Sequence, residues 1–292
     1  MVDLGVGESS APHALILGCG DLGSRAAGLL RVDGFRVTGV RRRSFALPGC
    51  QTMALDLANP DALRCLPPAV DLVVVALTPA LRTPDAYRAC YVDLPAAAAR
   101  YVNAPRWIFV SSTAVYGEQQ SAAEDGWIDD FIDAQPSRFN GEILLEAEHS
   151  LRSQVSHLTA LRCSGLYGPG RRMLWDRARR GEFGEPRWTH RIHIDDAARA
   201  LCWCAGHADP PAQVIATDPC PALECDVLRD LAALQRGEPI SDVNLSVHAS
   251  GRRLRPQILL DAGFEWHYPS YREGYRALFS VFSDSPQAPL AL

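Results

Sequence analysis

The sequence predicts an α/β protein in which a doubly wound parallel sheet carries a smaller C-terminal part. Three observations lead there. The apolar run His13 to Leu17, "HALIL", passes directly into "GCGDLG" and then into a helical pattern. The runs "LVVVAL" (72–77) and "WIFV" (107–110) are of the continuous apolar kind expected for strands buried on both faces of a parallel sheet. Segments of helical length separate these runs, and strands alternating with helices indicate βαβ units.

The elements follow in order. Asp21 to Val32 is expected to be the first helix, with Leu22, Ala26, Leu29 and Leu30 at helical spacing and Gly34 near its end. "FRVTGV" (35–40) reads as the second strand. Helical segments are expected from Pro60 to Leu66 and from Asp85 to Tyr101, and another from Glu142 to Leu151. "HLTALRCSGLYGPGRR" brings a further strand into a Gly-Pro loop. "RIHIDDAARALCWCAG" reads as a strand end followed by a helix, with Asp195 or Asp196 as its N-cap. "VIAT" (214–217) is a strand, and "LECDVLRDLAALQRG" a helix. The expected organisation is a dinucleotide-binding domain over 13–165, completed by about 190–217. A smaller substrate-binding part follows over 166–282, with loose tails at 1–12 and 283–292.

At 292 residues, with 47% hydrophobic and 22% charged residues, the chain can bury a large core. The net charge of −5 and the lack of a basic block longer than Arg41 to Arg43 argue against nucleic acid and favour a small-molecule partner. No apolar run is long enough to cross a bilayer. The start "MVDLGVGESSAP" has neither the basic nor the apolar region of a secretory signal, so a cytoplasmic protein is expected. Nine scattered cysteines without a CxxC pair suggest neither a disulfide framework nor a zinc site, and no metal is expected. All 29 basic residues are arginine, which excludes any mechanism that needs lysine.

Gly18-Cys19-Gly20-Asp21-Leu22-Gly23 satisfies G-x-G-x-x-G between a strand and a helix. There the first glycine permits a tight turn, the second lets backbone approach a pyrophosphate, and the third allows close helix packing. The end of the second strand selects the nucleotide. An acidic residue there suits a ribose 2′-hydroxyl, whereas this chain has Arg41, Arg42 and Arg43, which suit a 2′-phosphate and favour NADP(H) over NAD(H). A solvated strand end is the plainer alternative for the same three arginines.

These motifs, with "MALDLANPDAL", "DLVVVALTP", "WIFVSSTAVYG", "LTALRCSGLYGPGR" and "HRIHIDDAARA", resemble the extended short-chain dehydrogenases, a group that includes NAD(P)-dependent sugar-nucleotide epimerases, dehydratases and reductases. The likeness runs from about Ala14 to Leu278. It implies a Rossmann-type domain with Asp56 on the adenine side of the cofactor and with Leu57, Ala76, Leu77, Thr78 and Ser111 along it. It also implies that Thr113 hydrogen-bonds the reacting oxygen, and that a homodimer forms through the Asp85–Tyr101 and Glu142–Leu151 helices. In that group a tyrosine exchanges a proton with the substrate hydroxyl, and a lysine four residues later lowers its pKa while holding the nicotinamide ribose. The matching positions here are Asn140 and Leu144, and no tyrosine lies between Gly117 and Tyr167. An amide cannot replace a tuned phenol as an acid, and leucine contributes only packing.

Replacement chemistry has few candidates. Tyr116 could act as the acid; Tyr167 fits packing better, and His193 fits a structural hydrogen bond better. Arg162, Arg171 and Arg172 flank the Gly-Pro loop, where an anionic substrate such as a sugar nucleotide could be held. The expected function is therefore an NADP(H)-binding, epimerase- or dehydratase-like oxidoreductase acting on a small polar, nucleotide-sugar-like substrate without the Tyr-Lys pair. Two alternatives stay open: a non-catalytic NAD(P)(H)-binding or sensing protein, and a non-redox isomerase or dehydratase using Glu118, Glu142 or His193 as base.

Overall fold

The computed structural model describes residues 11–118, 126–240 and 249–283. The expected loose tails fall almost wholly outside these residues. The main sheet has seven strands: β1 His13–Leu17, β2 Arg36–Arg41, β3 Gln51–Ala54, β4 Leu72–Val75, β5 Arg106–Ser112, β6 Leu158–Cys163 and β7 Gln213–Ala216. All pair in parallel in the order β7-β6-β5-β4-β1-β2-β3. The strand order therefore reverses between β1 and β4, and in open α/β sheets ligands bind outside the carboxyl ends of the strands at such a point.

The strands are built for burial on both faces. Every residue of β1, β4 and β6 is buried, and these runs are rich in Val, Leu and Ile. Helix α1, Asp21–Val32, packs one face through Leu22, Ala26, Ala27 and Leu30. The same face takes the helix Ile194–Gly206 through Ala197, Ala198, Leu201 and Cys204. Across the sheet lies a helical stretch made of Pro84–Arg88, a π-type turn Ala89–Asp93 and Leu94–Ala99. Beside it, α2, Phe139–Arg152, buries Leu144, Ala147 and Leu151. Burying these side chains stabilises by roughly 1.5–3 kcal/mol for each leucine.

A third apolar cluster joins Tyr167, Trp175, Leu228, Leu231, Tyr275 and Phe282 in the C-terminal part. Its helices include Met173–Arg179, Glu224–Arg236 and Tyr271–Ala277. Short strand pairs connect this part to the rest: Arg191–His193 runs parallel to Gly165–Tyr167, and Arg253–Leu254 runs parallel to Trp127–Ile128.

One expectation is corrected at the helix Ile194–Gly206. Its cap is His193, whose Nδ1 accepts from Asp195 N at 3.2 Å, and neither Asp195 nor Asp196 takes that role. Asp196 is buried and instead accepts from the backbone N–H groups of His267 and Tyr268 at 2.8 and 2.9 Å, which fastens the C-terminal segment to the helix. Among the described residues no helix is long and apolar enough to cross a membrane, and no cluster of His, Cys, Asp and Glu could hold a metal.

Candidate functional site

The turn after β1 is shaped by its glycines. Gly18 has φ +88°, and a Cβ there would lie 2.6 Å from Ala76 O, so the chain end of β1 and that of β4 meet at a point where only glycine fits. At Gly23 a Cβ would come within 2.8 Å of Gly18 O, whereas at Gly20 nothing lies closer than 3.9 Å. The first and third glycines thus serve the protein's own packing, and the second leaves free space above the turn. No side chain caps α1. Its first-turn N–H groups have no intrahelical acceptor and face that space with the positive end of the helix dipole.

This space is a cleft of about 530 Å³. Gly18, Gly20, Asp21, Leu22 and Gly23 form one wall; Ala76, Leu77 and Thr78 come from the end of β4, Ser111 and Ser112 from the end of β5, and Asn140 and Leu144 from α2. The structure therefore unites the glycine turn with the two positions where the resemblance expects tyrosine and lysine. Asn140 and Leu144 are one helical turn apart and point to the same wall. A Cβ on Gly141 would sit 2.1 Å from Ala114 O, so α2 begins in direct contact with the turn that follows β5, and Asn140 and Ser112 line the same cleft.

Two of the expected catalytic residues lie elsewhere. Thr113 is buried and opens the short 3-10 turn Thr113–Val115, and it lines a smaller neighbouring cavity instead of the cleft. Ser111 and Ser112, the two residues just before it, line the cleft, and Ser112 Oγ also accepts from Ala114 N at 3.2 Å. Tyr116 is 1% exposed, and its hydroxyl accepts from Arg162 Nη1 at 2.8 Å. Burial pushes the Tyr116 phenol up to about 12 against the opposing pull of Arg162. A phenol so placed neither reaches the cleft nor releases a proton readily.

Arg162 is likewise not at the Gly-Pro loop surface. It pairs in two contacts with buried Glu148 behind the cleft wall, and Glu148 also accepts from Ser111 Oγ at 2.6 Å. Arg171 does reach the cleft, where its Nε lies 3.4 Å from Asp21 Oδ2 without hydrogen-bond geometry. Arg172 turns away to donate to Phe282 O at 2.8 Å. Glu142 is exposed on α2, and burial lowers the pKa of His193, whose ring packs 4.1 Å from that of Tyr268.

At the end of β2, Arg41 is committed to its own loop: Nε donates to Arg43 O at 3.1 Å, Nη2 to Ser44 O at 3.2 Å, and the guanidinium lies 4.2 Å from the Phe45 ring centre. Arg42 and Arg43 are exposed and form no ion pair among the described residues. Cys19 is fully buried, with its N–H on Val40 O at 2.8 Å. Asp56 is exposed and accepts from Ala58 N at 3.1 Å, and Leu57 is buried beneath it. Neither Asp56 and Leu57 nor the three arginines line the cleft as delimited above.

Sequence reasoning did not single out Arg82, Tyr87 and Tyr91, which line the cleft from the loop after β4 and the helix that follows. Burial drives the Tyr91 phenol well above its ordinary pKa, with Arg82 opposing. A larger cavity of about 680 Å³, walled by Trp175, Phe183, Leu228 and Phe282, shares no residue with the cleft.

No family model matches this sequence. Among solved structures, a candidate NAD-dependent epimerase/dehydratase from Methylobacillus flagellatus is 31% identical, with 94% of this chain and 100% of that one aligned at a TM-score of 0.75. MoeE5, solved with UDP-glucose and NAD, is 22% identical, covering 93% of this chain and 98% of its own at a TM-score of 0.72, and at that identity it shows the fold alone. Protein YeeZ from Escherichia coli (strain K12) is 28% identical over 204 residues, which are 64% of this chain and 70% of YeeZ.

Proposed function

This chain belongs to the NAD-dependent epimerase/dehydratase family of the extended short-chain dehydrogenases, and from that membership we propose that it binds NADP(H) and acts as an oxidoreductase or epimerase on a small polar substrate held at Ser112 and Asn140. The observation that carries this reading is the single cleft lined at once by the Gly18–Gly23 turn, Ser112 and Asn140. The residues fit a dinucleotide: Gly20 leaves open space for a diphosphate, and the N–H groups at the start of α1 face it. When bound, a nicotinamide supplies or accepts a hydride.

Everything else falls to the chain's own side chains. Ala76, Leu77, Thr78 and Ser111 flank the dinucleotide, and Arg171 lends positive charge beside the glycine turn. In this reading Arg42 and Arg43, exposed and without an ion pair among the described residues, take a 2′-phosphate, while Arg41 shapes the loop that presents them. Ser112 Oγ orients the substrate oxygen, and the Asn140 amide donates to the same oxygen without surrendering a proton. Leu144 offers no cation to tune a phenol. The proton is therefore exchanged with water at the open side of the cleft, and the part from 166 to 282 covers the substrate end.

A second reading, a non-catalytic NAD(P)(H) sensor, is favoured by the occupancy of the acid-base positions by Asn140 and Leu144. A turnover assay following nicotinamide absorbance separates the two. The enzyme reading predicts slow cofactor-dependent turnover of a carbonyl or nucleotide-sugar substrate, lowered at least about tenfold in kcat by Ser112→Ala with NADPH affinity kept. Tight NADPH binding with no turnover across such a panel supports the sensor.

A further inference from the structure

A smaller cavity of about 250 Å³ opens beside the cleft and shares Ser112 and Gly165 with it. Arg187, Trp188, Arg252 and Glu118 stand in its wall. The charges there do not balance. Arg187 lies 3.9 Å from Glu118 Oε1 and 3.5 Å from Glu224 Oε2. Glu118 is shared with Arg138 at 2.8 Å, and Glu224 with Arg177 at 2.7 Å.

Arg252 has no carboxylate within ion-pair distance among the described residues. Its Nη2 donates to Thr113 O at 3.0 Å, and its buried Nε has no acceptor among the described residues. Burial drives its pKa below that of a free arginine; Glu118 opposes this, and Arg187 and Arg138 reinforce it. A guanidinium stays charged under these conditions, so among the described residues the site is a cation without an ion pair, its nearest opposing charge being the shared Glu118, with a ready-made set of donors. Planar guanidinium donors match carboxylate and phosphate oxygens best.

We infer that the substrate carries a single oxyanionic group, a carboxylate or a phosphate ester, which sits against Arg252 between Arg187 and Trp188 while its reacting carbon faces Ser112. This rests on the reading of the cleft as the substrate and cofactor site, because the shared Ser112 is what links anion to reaction. The inference also accounts for the placement of Thr113: its carbonyl holds Arg252 in position, so it shapes the pocket without touching the reacting oxygen.

The test is binding of inorganic phosphate and of acetate to the full chain, by calorimetry and thermal melting at constant ionic strength with chloride as reference. Saturating NADPH is present so that the glycine turn is covered. One of the two anions is expected to bind and raise Tm relative to chloride. Arg252→Gln should weaken it at least tenfold, and Arg252→Lys only a few-fold. Preference for phosphate assigns a phosphorylated substrate, and preference for acetate a carboxylic acid.

Since Arg252 also braces Thr113, Glu118→Gln serves as a second variant at the pocket mouth, and it should tighten the anion several-fold by removing a repelling charge. Equal anion binding by wild type and a folded Arg252→Gln, or no gain from Glu118→Gln, overturns the inference. NADPH binding without anion binding overturns this inference alone. Absent NADPH binding overturns the cofactor reading, and the Arg252 dependence of anion binding is then judged by itself.

Discussion

Glu148 grips Arg162 with both carboxylate oxygens, Nη2 to Oε2 at 2.7 Å and Nε to Oε1 at 3.2 Å, and the two side chains are 0% and 3% exposed. The pair joins α2 to β6 directly behind the cleft wall, and through Ser111 Oγ it also reaches β5. Removing one partner leaves the other charge buried without compensation. Glu148→Ala should therefore cost about 3–5 kcal/mol, as read by urea unfolding. Joint replacement of Glu148 and Arg162 by apolar residues of similar volume should cost much less than the sum of the single changes, and a double-mutant cycle measures the difference.

The glycine turn predicts two opposite outcomes from the same chemical change. Gly20→Ala meets no atom closer than 3.9 Å and needs only a modest adjustment from φ −84°, ψ −147°, so stability should fall by no more than about 1–2 kcal/mol while nucleotide affinity falls at least about tenfold. Gly18→Ala must adopt φ +88° and press on Ala76 O, which should cost more than about 2 kcal/mol. Thermal melts paired with NADPH titrations on both variants check this division.

Arg41 and Arg42 should likewise behave differently. If Arg42 contacts a 2′-phosphate, Arg42→Ala weakens NADPH by about 10- to 100-fold and leaves NADH nearly unchanged. Arg41→Ala frees the loop carbonyls of Arg43 and Ser44 and should weaken both nucleotides. Comparable losses for NADPH and NADH in Arg42→Ala would count against a phosphate-reading role.

Asp130 supplies a prediction in pH. It is 1% exposed and accepts from the N–H groups of Ile215 and Ile258, tying β7 to the helix Gln257–Asp261. Burial, partly offset by those donors, pushes its carboxyl up to about 6 from 3.8. The folded state thus holds this proton at a pH where the unfolded chain has lost it, so this group's contribution to stability falls as pH rises from about 4 to about 6. The full effect is about 3 kcal/mol. Asp130→Asn removes the titration. Its stability relative to wild type should therefore rise across that window and level off above it, as followed by denaturant unfolding at several pH values.

Much of this fold is legible in the sequence because burial dictates composition. The strand His13–Leu17 and helix Asp21–Val32 are recovered at the expected residues, since a five-residue apolar run, a glycine turn and a helical stripe all agree there. The edge strand Gln51–Ala54 was not anticipated: three of its four residues are exposed and it has no apolar run to mark it. That Thr113 lines the neighbouring cavity and not the cleft is equally illegible in the sequence. Ser111, Ser112 and Thr113 are adjacent and chemically alike, and only the end of the strand at Ser112 separates the two serines that line the cleft from the threonine that does not. The pairing of Arg162 with Glu148 joins a helix to a strand, and no local pattern announces it. Nor does any motif distinguish Arg252 from its neighbours Arg253 and Arg255; only the fold shows that it has no ion pair among the described residues.

The most direct measurement of the central claim is a fluorescence titration of the wild-type chain with NADPH and, separately, with NADH. The account predicts saturable binding of both, with NADPH the tighter by at least about tenfold. Binding of neither nucleotide would contradict it at its foundation, because the cleft at the Gly18–Gly23 turn would then hold no dinucleotide.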